Sequence, residues 1–187
     1  QVAVLAGTAG PMTGIDPSSS STQPTPGNAN GQGTAASFNG PAALGVDSSG
    51  NVYVVDTAVS NGATLVRKID SGGNVTTLAT LGTNPGAPMN ISNFTTIGSA
   101  LYAASRDDTN SSYVIKIDTT SGAVTTILGG DSSVFPPVAS GTDPTVSGIT
   151  NDGKNVIVAG DGYVWYLTLG GQLTLLAGTG NSIDFFP

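Results

Sequence analysis

The sequence predicts an all-β chain built from three four-stranded antiparallel meanders, and three observations carry that expectation. A unit of about 50 residues recurs three times. Gly, Asp and Asn stand at hairpin spacing inside each unit, and all 11 prolines fall outside the strands, either between or beyond the units or, at Pro41 and Pro144, opening one. Ser (20), Thr (24), Gly (27) and Asn (13) dominate the composition, a mixture that favours turns and strands over helix, so almost no helix is expected.

The chain opens with VAVLAGTAG (2–10), which matches LTLLAGTG (173–180) at the other end. Since the second of these closes the last unit, the first reads as a surplus N-terminal strand carrying Val2, Val4 and Leu5. Residues 1–40 are therefore expected to hold this strand and a Pro/Ser/Thr/Gly-rich linker, DPSSSSTQPTPGNANGQG (16–33). Ser and Thr mixed with Pro is the composition of O-glycosylated stalks, so the linker is the expected place for glycan modification.

The first unit spans 41–82, the second 91–130 and the third 144–180, and residues 181–187 form a tail with Phe185 and Phe186. Equivalent apolar positions recur: Val52, Leu101 and Val156 in one strand, Ile69, Ile117 and Leu167 in the next. DSSGN (47–51), DSGGN (70–74), NDGKN (151–155) and LGGQ (169–172) supply turn residues between strands. The second strand of each unit is apolar on both faces, as in VYVV (52–55), which predicts a strand sandwiched between layers. The third alternates, as in VIKI (114–117), and is expected nearer solvent. Three such units with prolines at their joints are what radial blades look like in sequence, so a β-propeller-type arrangement in one domain is expected; evenly spaced strands also suit a β-sandwich.

Charge narrows the partners. All 12 acidic residues are Asp, the basic residues are only Arg67, Lys68, Arg106, Lys116 and Lys154, and the net charge is −7. That balance removes the counterion release that drives phosphate binding, so neither nucleic acid nor an anionic membrane surface is an expected partner. No apolar run approaches the roughly 20 residues of a membrane-spanning helix. Low charge with abundant Ser and Thr predicts an extracellular or cell-surface location, with Gln1 as a mature terminus.

The stretch GQGTAASFNGPAALGVDSSGNVYVVDTAVSNGATLVRKIDSGGNVTTLA (31–79) resembles an NHL repeat. It has the Gly-rich lead, Phe38-Asn39 and Pro41, a GVD-xx-GN-VYV-x-D core, an Arg-Lys-Ile strand and a closing strand. The second unit keeps ALYAA, VIKID and AVTTILGG; the third keeps QLTLLAGTG, with Trp165 and Tyr166 where the basic pair would lie. The resemblance implies propeller blades that bind other macromolecules; a minority of related propellers are enzymes.

Zero His and zero Cys exclude Ser-His-Asp and Cys-His devices, haem attachment, iron–sulfur clusters and nearly all zinc sites. Amidating lyases of similar fold need His ligands, so that activity does not carry over. Lactonase-like propellers hold a divalent cation with carboxylates and amides, which leaves Asp56, Asp107 and Asp161, each at the end of a second strand, as positions for such a site. Turn capping is the other reading of the three, and the one Asp usually fulfils. DSSGN (47–51) alternates oxygen side chains but lacks the glycine and distal Glu of a calcium loop. Sequons at Asn74, Asn90, Asn93 and Asn110 are about as many as chance gives.

No catalytic residue, no cofactor and no metal ligand is therefore assigned. A chain offering shape and strand edges is expected to be a non-enzymatic structural or adhesive subunit that assembles with itself. Three blades are fewer than the four to eight that close a ring. Two copies could complete a six-bladed ring, or the surplus strand could add to a neighbour's sheet edge and propagate as a filament. Val2, Val4, Leu5, Phe185 and Phe186 are the expected assembly residues. A peptide- or glycan-binding module and a metal-dependent hydrolase are the alternatives.

Overall fold

The computed structural model describes residues 4–7, 26–82, 90–129 and 145–178. These form three antiparallel sheets, and the only helical element among them is a 3-10 turn at Gly33–Ala35.

Sheet 1 contains β1 (Gly31–Gln32), β2 (Leu44–Val46), β3 (Val52–Thr57), β4 (Thr64–Ile69) and β5 (Asn74–Leu81), in the spatial order β1-β5-β4-β3-β2. Sheet 2 is the meander β6 (Asn90–Ile97), β7 (Ala100–Arg106), β8 (Ser112–Asp118) and β9 (Val124–Gly129). Sheet 3 repeats it with β10 (Gly148–Asn151), β11 (Val156–Gly160), β12 (Tyr163–Leu167) and β13 (Leu173–Ala177). Each has a register shift between its third and fourth strands, at Val66/Arg67, Val114/Ile115 and Val164/Trp165. A bulge at the same place in every sheet bends the fourth strand alike.

The hairpins are built by aspartate. Asp47 Oδ1 accepts the backbone N–H of Ser49 and Asn51, at 2.9 Å each. Asp70 accepts Gly72 and Asn74 the same way, Asp107 accepts Thr109 and Ser111, and Asp118 accepts Thr120 and Ser121. Asp152 accepts Lys154 and Asn155. A carboxylate one carbon from the backbone reaches its own turn, which accounts for a chain with 12 Asp and no Glu.

The sheets stack in chain order. Tyr53, Val55 and Val66 of sheet 1 share a buried cluster with Leu101, Ala103, Ile115 and Ile117 of sheet 2. The opposite face of sheet 2, with Ala100, Tyr102, Ala104 and Val114, packs on Val156, Val158, Trp165 and Leu167 of sheet 3. First strands adjoin one another, β2 beside β6 and β6 beside β10; at Gly45 a Cβ would lie 2.6 Å from the Phe94 ring, so that approach requires glycine.

Two expectations are corrected here. The third strands of sheets 1 and 2 are not nearer solvent: Val114, Ile115 and Ile117 are buried, and Arg67 is as buried as any residue. In a stack both faces of a central strand meet neighbours, so the polar residues in VIKI and VRKI mark interior contacts, not a wet face. Of the surplus strand expected within 2–10, only residues 4–7 are described, and they form no strand. Val2 lies outside the described residues, residues 4–7 bend without forming a strand, and the fifth strand of sheet 1 is β1, paired as Gly31↔Val75 and Gln32↔Asn74. Gly7, at φ 101°, breaks extended geometry, and its N–H goes to Gly33 O (3.0 Å) instead of to a strand edge.

Candidate functional site

Among the described residues, the two end faces of the sheet array and the segment that covers one of them set the geometry of the candidate site. The first face of sheet 1 carries Val54, Ile69 and Val75, buried together with Ala36 under Ala6 and Phe38. A polar latch holds that cover down. Asp56 and Arg67 form an ion pair of 3.1 Å with both side chains fully buried. Asp56 Oδ1 accepts the backbone N–H of Asn39 (3.0 Å) and Gly40 (2.8 Å), and Oδ2 accepts Asn28 Nδ2 (3.0 Å). The Arg67 guanidinium donates to Ser37 O (3.2 Å), Ala29 O (2.9 Å) and Asn30 Oδ1 (3.0 Å), and lies 5.2 Å from the centre of the Phe38 ring. Residues 28–40 are thereby stapled to sheet 1.

A glycine series reveals what residues 4–7 stand for. Gly73, Gly122 and Gly171 occupy the turn between third and fourth strands of sheets 1, 2 and 3, with φ of 80°, 73° and 86°. A Cβ at Gly122 would collide with Leu78 O of the preceding sheet's fourth strand, and one at Gly171 would lie 3.5 Å from Ile127 O, the equivalent atom one sheet on. At Gly73 the same approach, 3.2 Å, is to Leu5 O. Leu5 thus occupies the place that Leu78 and Ile127 hold at the two internal junctions. Residues 4–7 stand where the fourth strand of a preceding sheet would run.

Among the described residues, nothing covers the last face of sheet 3 in this way. Ile157, Ala159 and Val164 sit at the register positions of Tyr53, Val55 and Val66 in sheet 1 and of Tyr102, Ala104 and Val114 in sheet 2. Those six are buried by the next sheet, whereas Ile157, Ala159, Val164 and the neighbouring Tyr166 remain half-exposed. Leu175 and Leu176 on β13 are 52% and 46% exposed. Val4 and Leu5 are 57% and 52% exposed although Ala6 beside them is packed. Phe185 and Phe186 lie outside the described residues.

Asp56, Asp107 and Asp161 are not brought together. Asp56 belongs to the latch. Asp107 closes the β7–β8 turn and accepts Tyr113 Oη at 2.9 Å; Asp161 sits in the β11–β12 turn at φ 48° and accepts the Thr145 N–H. No group of three or more His, Cys, Asp or Glu that could hold a metal ion occurs among the described residues. Burial pushes the Asp47 and Asp107 carboxyls up, but hydrogen bonds outweigh it and hold both below the ordinary 3.8; the donors are Asn51, Tyr53 and Ser49 for Asp47 and Thr109, Tyr113 and Ser111 for Asp107. Asp118 and Asp152 are lowered by the backbone N–H groups of Ser121 and Asn155 respectively, with further hydrogen bonds from their own turns.

No helix of the described residues is long and apolar enough to cross a membrane. No family model matches the chain, so the NHL resemblance stands on the residues quoted above, and no curated protein matches it. Among solved structures the chain is similar to a protein of unknown function from Bacteroides thetaiotaomicron VPI-5482, at 13% identity and a TM-score of 0.39, over 95% of this chain and 50% of that one. It is also similar to the extracellular domain assigned to a hybrid two-component system of B. thetaiotaomicron, at 12% identity and a TM-score of 0.30, over 77% of this chain and 28% of that one. The chain spans about half the length of the first and under a third of the second.

Proposed function

We propose that the chain is a non-enzymatic, extracellular structural or adhesive subunit whose three sheets are blades of an NHL-like propeller arc, and that copies assemble by completing one another's arc. The observation that supports this reading is the mismatch of the two ends. One end presents residues 4–7 in the position of a preceding blade's fourth strand. The other presents an apolar blade face, Ile157, Ala159, Val164 and Tyr166, with the exposed β13 edge beside it. An apolar face that no described residue covers and a strand edge with no described partner are liabilities that a second copy removes.

Blade 3 of one copy would then meet the covered end of blade 1 in the next, where Val4 and Leu5 are exposed, with these two added along β13 and the Phe185-Phe186 tail docking on the neighbour. The contact is heterologous: it closes a ring if the rotation permits and otherwise extends a filament. Low charge suits such packing, because few carboxylates or ammonium groups must be desolvated at the contact.

The test is removal of residues 1–7. The intact chain should scatter light as a large species, and the truncated chain as monomers or irregular aggregates. Retention of the intact particle size after truncation would refute strand addition.

A further inference from the structure

We propose that the junction between sheets 1 and 2 carries a binding groove for a neutral oligosaccharide. This goes beyond assembly and does not depend on it. The groove, open to solvent, offers about 480 Å³ between the β4–β5 and β8–β9 turns, in the size range of small-ligand sites. Its wall is made of amides and hydroxyls, with Asn51, Asn74 and Thr76 from sheet 1 and Thr120 and Ser121 from sheet 2.

The repeat supplies an internal control for this lining. Tyr53 and Lys68 pair across β3 and β4, and Tyr102 and Lys116 pair across β7 and β8 in the same way, so the two junctions share a floor. The walls differ. Asn51 corresponds to Ala100, one residue before Leu101 as Asn51 is before Val52. Asn74, which follows Gly73, corresponds to Ala123 after Gly122. The Thr119-Thr120-Ser121 turn facing sheet 1 corresponds to Leu169-Gly170 facing sheet 2. Hydrogen-bonding groups thus stand at one junction where the same fold uses Ala, Leu and Gly at the next. Asn51 Nδ2 donates to Asp47 Oδ2 (2.8 Å) and Ser121 Oγ to Asp118 Oδ1 (2.9 Å), so these two also hold their own turns, whereas packing of the sheets does not require Asn74 or Thr120.

The chemistry of the groove selects the ligand class. One ammonium and one carboxylate line it, and both are engaged: Lys68 Nζ donates to Thr119 O (3.3 Å) and lies 5.8 Å from the Tyr53 ring centre, and Asp70 Oδ1 accepts Gly72 and Asn74 N–H. Charge cancels, which disfavours phosphates and anionic peptides. Leu78 alone is apolar, which disfavours a hydrophobic ligand. The side chains of Asn74, Thr76 and Thr120 make no hydrogen bond to another described residue, so their donors and acceptors face the groove and solvent. Amides and hydroxyls both donate and accept, and so do the vicinal hydroxyls of a sugar.

The groove is open and has no exposed aromatic platform, so a dissociation constant of about 0.1–1 mM is expected. Backbone amide NMR of the full chain, titrated with neutral oligosaccharides of glucose, mannose and N-acetylglucosamine, should show saturable shifts at Asn51, Asn74 and 119–121. Asn74→Ala, which copies Ala123 of the second junction, should weaken binding about 5-fold, the loss expected for about one hydrogen bond. Thr120→Leu, on an exposed turn, should weaken it without touching the sheets, and Ser60→Ala at the opposite end should not. No saturable shift up to about 10 mM sugar, equal binding by Thr120→Leu, or a response to uronate oligosaccharides or acidic peptides in place of neutral sugar would each overturn the proposal.

Discussion

Replacing Asp56 by Ala is expected to remove more stability than any other single loss of a carboxylate. The substitution leaves the Arg67 guanidinium fully buried beside no anion, and it also deprives Asn39 N–H, Gly40 N–H and Asn28 Nδ2 of their acceptor. Breaking one side of a buried pair costs about 3–5 kcal/mol. Against a total stability of roughly 5–15 kcal/mol, that is a large share. At about 2–4 °C per kcal/mol for a chain of this size, the melting temperature should fall by roughly 6–20 °C. Asp56→Asn keeps an acceptor for Asn39 and Gly40 but not the charge, so it should fall between. The double replacement Asp56→Ala with Arg67→Met removes both charges and should recover part of the loss, because no unpaired ion is left in the interior. Thermal unfolding followed by circular dichroism reads the size of the effect, and hydrogen exchange reads its place, with protection lost first over 28–40. A change in stability below about 1 kcal/mol, the worth of an exposed pair, would refute the latch.

Three further outcomes follow from the same structure. Gly122→Ala meets both a backbone collision with Leu78 O and a left-handed φ of 73°, whereas Gly62→Ala has the same φ range (71°) in open space; urea unfolding should show about 1–2 kcal/mol for Gly62→Ala from backbone strain and clearly more for Gly122→Ala. Asp47, Asp107, Asp118 and Asp152 have folded values below their ordinary 3.8, so their contribution is present above pH 3.8 and lost as pH falls through the lower folded values. Stability measured from pH 6 to pH 2 should therefore decline mainly below about 4, and Asp47→Asn with Asp107→Asn should flatten that decline. Trp165→Ala, in the cluster joining sheets 2 and 3, should cost about 3–5 kcal/mol by calorimetry.

Much of the fold was legible because turns are local. The Asp-Gly pairs at 47–50, 70–73 and 152–153 announce hairpins through side-chain reach and positive φ, and both act within five residues. The four-stranded run of sheet 1, from Leu44 to Leu81, lies inside the stretch 41–82 read from the repeat. Burial was less legible. Arg67 reads as a solvent residue, and only its partners 11 to 38 positions away, Asp56, Ser37, Asn30 and Ala29, turn it into an interior one. β1 was missed because Gly31 and Gln32 have no strand propensity; they pair with β5 because Gly33 N–H bonds Gly73 O (2.9 Å) and the latch draws the chain along that edge. The match of 2–10 to 173–180 did carry a signal, but about place and not conformation: Leu5 lies where a fourth strand's residue lies, without the ladder that would make it a strand. The groove between sheets 1 and 2 left a trace only in the departures from the repeat, at Asn51, Asn74 and the turn 119–121.

The central claim is that this three-sheet array is completed by a second copy. Sedimentation velocity of the intact chain, with electron microscopy of the same sample, tests it most directly. The account predicts rings or filaments whose mass is a multiple of 18.4 kDa, with an Ile157→Asp variant on the uncovered face reduced to single subunits. A stable, folded 18.4 kDa monomer across the micromolar range, with no particle in the images, would contradict it.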